Sequence, residues 1–460
     1  MDLSRKRIGI WGYGIVGKSV ARYLEREGYP YCVCDVRTPS AVEQAHLKAH
    51  HSSFCHQTNV THFLNAYDYI VPSPGIDLRP YRQFAHKWLS ELDLFYSAWH
   101  KPIIAITGTV GKTTITNLLE LIFKQTTLKA IVGGNIGTGM LSLVPHQEAS
   151  HLALLELSSW QLEYCKLFAP SIALWTHFSE NHLDRHDTME NYFNAKYQII
   201  ARQTARDTAI VPINIMQQLY TKQPKSRCIF FCEGKPHSLQ ALRTQDSIIS
   251  YERNLIQITT ADRVYTLTDT ISLPRYSFTE NWLAICAVLH TLDIPLTILE
   301  QIDISSYTQP HRMELLSHIN NISVYNDSKS TTVASTLASI RTFPHQRIHL
   351  FLGGLSKGAD RTPIMHAIKG KDITVYCFGK EASFLQELCK QHGITAYQHA
   401  TLEAAVIQCK ANCREGEVIL FSPAGSSFDL FKDYADRGER FKEIILSMTF
   451  QSNNSEILNR

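Results

Sequence analysis

Two glycine-rich loops constrain this chain more than any other feature. The first, Gly12-Tyr13-Gly14-Ile15-Val16-Gly17, follows the apolar run Arg7–Trp11 and opens a helical pattern, KSVARYLERE. Glycines at this spacing permit a tight turn, a close backbone approach to a diphosphate and close packing of helix on strand, and the helix N-terminus offers unpaired N–H groups to the anion. Asp35, at the end of the next apolar run, stands where a ribose-binding acid is expected. The second loop, Thr107-Gly108-Thr109-Val110-Gly111-Lys112-Thr113-Thr114, again lies between an apolar run, Ile103–Thr107, and a helical pattern. Its amides and Lys112 suit the β- and γ-phosphates of ATP, and the Thr113 hydroxyl suits Mg2+. It departs from the usual spacing: the first glycine is expected at Ile106 and stands at Gly108.

Short apolar runs alternate with helical patterns along most of the 460 residues, which predicts an α/β fold with parallel sheets. The expected strands are Arg7–Trp11, Tyr31–Cys34, Tyr69–Val71, Ile103–Thr107, Ala130–Val132, His151–Leu157, Ile172–Trp175, Ile322–Asn326, Arg347–Leu352, Thr374–Phe378 and Glu417–Phe421. Between about Gln203 and Pro274 the pattern shifts to short β-like stretches with polar turns (RCIFFCEG, SIISYERN, DRVYTLTD), read as a small antiparallel appendage. Breaks near Lys101 and Pro310 divide the chain into three domains. These are a Rossmann-like N-terminal domain over 1–100, a P-loop central domain over 101–307 and a Rossmann-like C-terminal domain over 308–460.

Composition narrows the function. Lys plus Arg (45) nearly balances Asp plus Glu (42), and no basic run appears, so neither nucleic acid nor an anionic membrane is the expected partner. The eleven cysteines are odd in number, and Cys32, Cys34, Cys165, Cys286 and Cys377 sit in or beside apolar segments, as buried free thiols do. No apolar run of membrane-spanning length and no secretory cleavage signal is seen, so the expected location is the cytoplasm. A dehydrogenase would use the first loop and leave the second idle; a simple kinase or GTPase would do the reverse. Both loops have work when one substrate is a nucleotide-diphosphate conjugate and the other is ATP.

Further candidates cluster at strand ends, the ligand edge of a doubly wound sheet. Glu156 ends the run HLALLE, where a Mg2+ ligand belongs beside a P-loop. His182 lies in the polar loop Asn181–His186, a second-metal or substrate-positioning candidate. Lys196 stands among Tyr192, Phe193 and Tyr197; such a lysine ordinarily snorkels to water, and near two Mg2+ ions it needs modification or a counter-anion. In the third segment Arg312 suits a transferring phosphoryl group, and Lys357 with Ser427 suits a carboxylate.

TGTVGKTT, GGNIG, ELSSWQL, NHLDRH, FNAK, QPHRME, NDSKST and SPAGSSFDLFKDYADRG resemble, in order and spacing, the Mur ligase family. GYGIVG, CDVR, VPSPGI and the C-terminal SFDLFKDYADRGERF are most similar to its D-glutamate-adding branch. The resemblance implies ATP-dependent ligation of D-glutamate to UDP-N-acetylmuramoyl-L-alanine through an acyl phosphate, by a monomer acting on small molecules. It places the UDP-sugar on Gly14, Ile15, Val16, Asp35, Arg37 and Ser73, with Asn135 and His182 nearer the reacting end. ATP would meet Gly108, Thr109, Gly111, Lys112, Thr113, Thr114, Asn281 (adenine), Arg312 (γ-phosphate) and Asp327 (ribose). Two Mg2+ ions are implied, one on Thr113 and Glu156, the other on His182 and a carbamylated Lys196; Lys112, His182, Lys196 and Arg312 would be the catalytic set. D-glutamate would lie against Thr331, Lys357, Ser427, Phe428 and Tyr434. Five positions depart from the family pattern: Val36, Val110, Ser277, Phe278 and Thr332. Another Mur ligase or a folylpolyglutamate-synthase-like enzyme, a nicotinamide-dependent oxidoreductase and a non-enzymatic nucleotide-binding regulator are the rival readings.

Overall fold

The computed structural model describes residues 3–447 except 136–137, 237–240, 254, 269–278, 303–309, 320 and 357. Ser277-Phe278 and Lys357 therefore lie outside the described residues. Three sheets form. The first is parallel throughout: β1 (Ile8–Trp11), β2 (Tyr31–Asp35), β3 (Ser53–His56) and β4 (Tyr69–Pro72), in the order β3-β2-β1-β4.

The second sheet has nine strands: β5 (Ile103–Thr107), β6 (Ala130–Gly134), β7 (Leu152–Glu156), β8 (Ile172–Trp175), β9 (Thr208–Pro212), β10 (Arg227–Glu233), β11 (Ser247–Glu252), β12 (Leu255–Thr259) and β13 (Val264–Thr268). Their order is β13-β12-β11-β10-β9-β8-β5-β7-β6. The antiparallel appendage is narrower than the sequence pattern suggested. β10 and β11, the stretches RCIFFCEG and SIISYERN, run parallel and extend the main sheet, and only β12 and β13 reverse. Burial explains the division. The interior of β10 is buried on both faces, as a parallel strand requires, whereas β13 is exposed over its first three residues.

These two sheets belong to one compact unit, residues 1–178 with 189–302, and share a continuous core from Leu3 and Ile8 through Phe95, Trp99 and Met140 to Ile248. Asp93 fastens the helix Glu91–Ala98 within it. Fully buried, it accepts the N–H groups of Lys166 (2.9 and 3.0 Å) and Leu167 (2.7 Å). Its neighbour Glu91 is buried with Oε1 lacking a hydrogen-bond partner, and burial raises its pKa from 4.5 to about 7. Between those values the folded protein holds a proton that the unfolded chain releases, so stability falls as pH rises through the window, by about 3 kcal/mol in all. Denaturant midpoints at pH 5 and pH 8 should show this loss in the wild type, and Glu91→Gln should flatten it.

The second compact unit comprises residues 179–188 and 303–460. Its sheet contains β14 (Glu314–Ile319), β15 (Ile322–Asn326), β16 (Ile348–Gly353), β17 (Ile373–Phe378), β18 (Ala396–His399) and β19 (Val418–Phe421), ordered β14-β15-β19-β16-β17-β18. Among the described residues only the edge strand β14 is antiparallel. No helix among the described residues is long and apolar enough to cross a membrane. All the cysteines are free thiols, nine of them buried or nearly so within strands and helices or beside them.

Candidate active site

The first glycine loop leaves β1 where the strand order reverses between β2 and β4, the crevice position of a doubly wound sheet. A Cβ on Gly17 would stand 1.9 Å from the Gly12 carbonyl oxygen, so only glycine lets the helix Ile15–Arg26 pack this closely. Gly14 caps that helix without a side-chain hydrogen bond, leaving its first amides to an outside acceptor. Asp35 clasps the loop: its carboxylate accepts the Tyr13 N–H at 2.5 Å and the Arg37 N–H at 2.8 Å. Ser73 completes the clasp by donating its hydroxyl to the Gly12 carbonyl at 3.2 Å. The Arg37 guanidinium forks onto Glu43 at 2.9 and 3.0 Å and holds that carboxyl well below the usual range. A phosphate recruited by Arg37 therefore competes with Glu43. Val36 is exposed, and its carbonyl accepts from His56.

The P-loop leaves β5, flanked by β7 and β8. Gly108 has φ +148°, and a Cβ there would stand 2.0 Å from the Thr176 hydroxyl. Thr176 in turn donates to the Val110 carbonyl, so the departure from the family pattern at residue 110 leaves the loop anchored through backbone. Gly111 caps the helix Lys112–Lys124 with φ +90° and packs against the Asn281 amide. Thr109 accepts or gives a hydrogen bond at the Tyr192 hydroxyl, 3.2 Å away. Thr113 is half-buried and Thr114 buried in the first turn of that helix.

Two lysines converge on one oxygen here. The Nζ of Lys112 donates to the Gly108 carbonyl at 2.8 Å, and the Nζ of Lys196 donates to the same carbonyl at 3.0 Å. Lys196 does not snorkel: it is 1% exposed, with its ammonium 4.7 Å from the Tyr192 ring centroid. Burial first, then repulsion from Lys112, push its pKa well down, and only Glu156 opposes them. Glu156, at the end of β7, is buried; Oε1 accepts from the Asn135 amide at 3.1 Å, while Oε2 has no hydrogen-bond partner. An orphaned buried carboxylate oxygen beside a P-loop fits a hard cation, because oxygen ligands are what such an ion takes.

In the second unit, His182 adopts a left-handed backbone (φ 54°) at the start of the short helix Leu183–His186. Arg312 is half-buried, with its Nε lacking a hydrogen-bond partner. Asp327 turns inward. Its carboxylate is 2% exposed and accepts the hydroxyls of Ser330 (2.5 Å), Ser339 (2.6 Å) and Ser422 (2.8 Å) and the Met313 N–H (3.2 Å). These four donors make it a tie between the loops after β15 and β19, at the position where the ribose contact is expected. Thr332 caps the helix Val333–Arg341 in a reciprocal box with Ser335, which accounts for the hydroxyl residue there. Thr331 is half-buried, Ser427 buried, and Phe428 and Tyr434 exposed, the last with the Lys329 ammonium 5.5 Å from its ring.

Sequence reasoning missed Arg361 and Arg437, both essentially unexposed. Arg361 donates to the carbonyls of Gly353 (3.3 Å) and Gly354 (3.0 Å), and Arg437 to those of Gly425 (2.9 Å) and Ser328 (2.7 Å). They hold the loops at the C-terminal edge of the third sheet. Arg437 lies in the DYADRG motif, the one signal that pointed to it.

Three family models match in order: "Mur ligase MurD-like, N-terminal domain" over residues 6–87, "Mur ligase middle domain" over 106–289, and "Mur ligase, glutamate ligase domain" over 311–425. UDP-N-acetylmuramoylalanine–D-glutamate ligase of Geobacter sp. is 31% identical, covering 97% of this chain and 98% of its own. The ligase of the same name from Aquifex aeolicus is 31% identical over 95% and 97%. Among solved structures, MurF ligase from Thermotoga maritima in complex with ADP superposes with a TM-score of 0.58 at 14% identity, covering 91% of this chain and 94% of that one. A bifunctional folylpolyglutamate synthase/dihydrofolate synthase from Yersinia pestis reaches 0.56 at 13% identity but covers 78% of this chain.

Proposed function

The chain belongs to the Mur ligase family, and from that premise we infer that it joins D-glutamate to UDP-N-acetylmuramoyl-L-alanine in an ATP-dependent step of peptidoglycan precursor synthesis. It is an amide-forming ligase. A carboxylate resists amines because its oxygen is a poor leaving group. Transfer of the γ-phosphoryl group onto the alanyl carboxylate gives an acyl phosphate, and attack by the D-glutamate amine then expels phosphate. The barrier is largely electrostatic, since a carboxylate must meet a polyphosphate, and positioned cations lower it.

The observation that carries the site reading is the meeting of Lys112 and Lys196 at the Gly108 carbonyl beside the half-satisfied Glu156. Two like charges on one acceptor, the Lys196 one buried, are unfavourable, and a neutral amine in that place is nucleophilic toward CO2. Addition forms an N–C bond, releases a proton and leaves an anionic carbamate. In this reading Lys112 binds phosphate, Thr113 and Glu156 would hold one Mg2+, and His182 and carbamylated Lys196 would hold a second. Bound Mg2+ supplies charge neutralisation where carboxylate and γ-phosphate approach. Asn281, packed on Gly111, faces the nucleotide, and Arg312 neutralises the γ-phosphate. Ser427, Phe428, Tyr434, Thr331 and Lys357 take D-glutamate. Gly14, Ile15, Val16, Asp35, Arg37 and Ser73 take the UDP-sugar, with Asn135 toward the reacting end. The enzyme works on small molecules, as a cytoplasmic monomer.

Phosphate release from ATP should require both UDP-N-acetylmuramoyl-L-alanine and D-glutamate. Release supported by L-lysine or diaminopimelate in place of D-glutamate would overturn the amino-acid assignment. Asp35→Ala unclasps the first glycine loop and removes a ribose acceptor. It should raise KM for the UDP-sugar roughly tenfold, the scale of one charge-assisted hydrogen bond, and leave KM for ATP within twofold. The reverse pattern would mean that the two loops have exchanged ligands.

A further inference from the structure

We propose that Glu25, His46 and His50 form a binding site for a divalent transition-metal ion of the Zn2+ type beside the first sheet, separate from the site above. Glu25 lies in the last turn of the helix Ile15–Arg26, and His46 and His50 stand at the last turn of the helix Ala41–Ala49 and its cap. Spacing of i and i+4 puts both imidazoles on one helix face, the arrangement by which helices present paired nitrogens to zinc.

The geometry is already close to a ligand set. One ligand atom from each residue lies within 4.8 Å of the other two, with His46 Nε2 3.0 Å from Glu25 Oε1 and the two imidazole centroids 4.7 Å apart. Zinc bonded to nitrogen and oxygen at about 2.0–2.1 Å in a tetrahedron sets its ligand atoms roughly 3.3 Å apart, so side-chain rotation at the exposed imidazoles closes the set. Three protein ligands would leave a fourth position to water.

A His46–Glu25 ion pair alone does not account for the arrangement, because the second imidazole has no part in it. The carboxylate is also set up as a ligand. The Glu25 side chain is only 9% exposed, and its Oε1 receives the Tyr31 hydroxyl at 2.5 Å. An outer hydrogen bond of this kind fixes the orientation of a coordinating carboxylate and tunes affinity. Both histidines are exposed, so an ion can reach them without rearrangement of the core.

Zn2+ titration of the chelator-treated full chain, followed calorimetrically without nucleotide, tests the site. The wild type should bind one equivalent that is missing from the His46→Ala/His50→Ala variant, whose substitutions lie on the surface and should leave circular dichroism and ligase activity unchanged. Tyr31→Phe keeps the three ligands and loses the orienting hydrogen bond, so its affinity for that equivalent should fall about tenfold or more. Equal stoichiometry and affinity in the wild type and the double variant would overturn the proposal and reduce the cluster to an ion pair with a neighbouring imidazole. Co2+ offers an independent readout: the visible absorption of a low-coordinate nitrogen–oxygen site should appear in the wild type and vanish in the double variant, and its persistence would count equally against the site.

Discussion

Lys196→Ala should lower kcat at least about 100-fold, the cost of losing a group that positions charge at the phosphoryl-transfer site, and short carboxylates such as formate or acetate should restore part of the loss. The expectation rests on where the side chain is. At 1% exposure, with its Nζ on the Gly108 carbonyl and a second ammonium on the same atom, Lys196 is not a surface lysine whose removal is neutral. If its working form is a carbamate, the alanine variant leaves a cavity that a small carboxylate can enter, supplying the same anionic oxygens. A merely structural lysine would give a variant that melts lower and is not rescued. Activity that stays lost at all carboxylate concentrations, in a protein that melts like the wild type, would remove the carbamate from the mechanism.

Arg437→Met should destabilise the second unit by about 3–5 kcal/mol, the usual cost of breaking a buried charged network, and lower its melting temperature by roughly 10 °C. Its guanidinium, without exposure, donates to Ser328 Oγ at 3.0 Å, to the Ser328 carbonyl at 2.7 Å and to the Gly425 carbonyl at 2.9 Å. Methionine keeps most of the volume and strands these acceptors. The two loops it joins follow β15 and β19, so a surviving population should also show a raised KM for D-glutamate with KM for the UDP-sugar unchanged. A melting temperature within 2 °C of the wild type would show that water replaces the guanidinium without cost.

What could be read from the sequence was what is local. A glycine loop between an apolar run and a helix is encoded in consecutive residues, so both loops and the strands leading into them were legible, Ile103–Thr107 to the residue and the first within one residue, as was Ile172–Trp175 elsewhere in the second sheet. Strand ends were legible too, and they placed Glu156 correctly at the close of β7. Direction of pairing was not. RCIFFCEG and SIISYERN carry no mark of the neighbour each would choose, and they joined the parallel sheet because both faces of β10 are covered. Burial of polar groups was equally hidden. Nothing near Lys196 shows that it points inward, and Asp327 looked like any strand-end acid until three hydroxyls, one of them 95 residues away, were seen to surround it. Arg437 reaches Ser328 across 109 residues of sequence. Such pairings belong to the tertiary fold, which local pattern does not encode.

The central claim is that ATP activates the alanyl carboxylate as an acyl phosphate before D-glutamate attacks. Turnover of UDP-N-acetylmuramoyl-L-alanine labelled with 18O in that carboxylate tests it most directly. One labelled oxygen should appear in each inorganic phosphate released, with the other retained in the new amide. Unlabelled phosphate alongside product formation, or label recovered in AMP, would contradict the account.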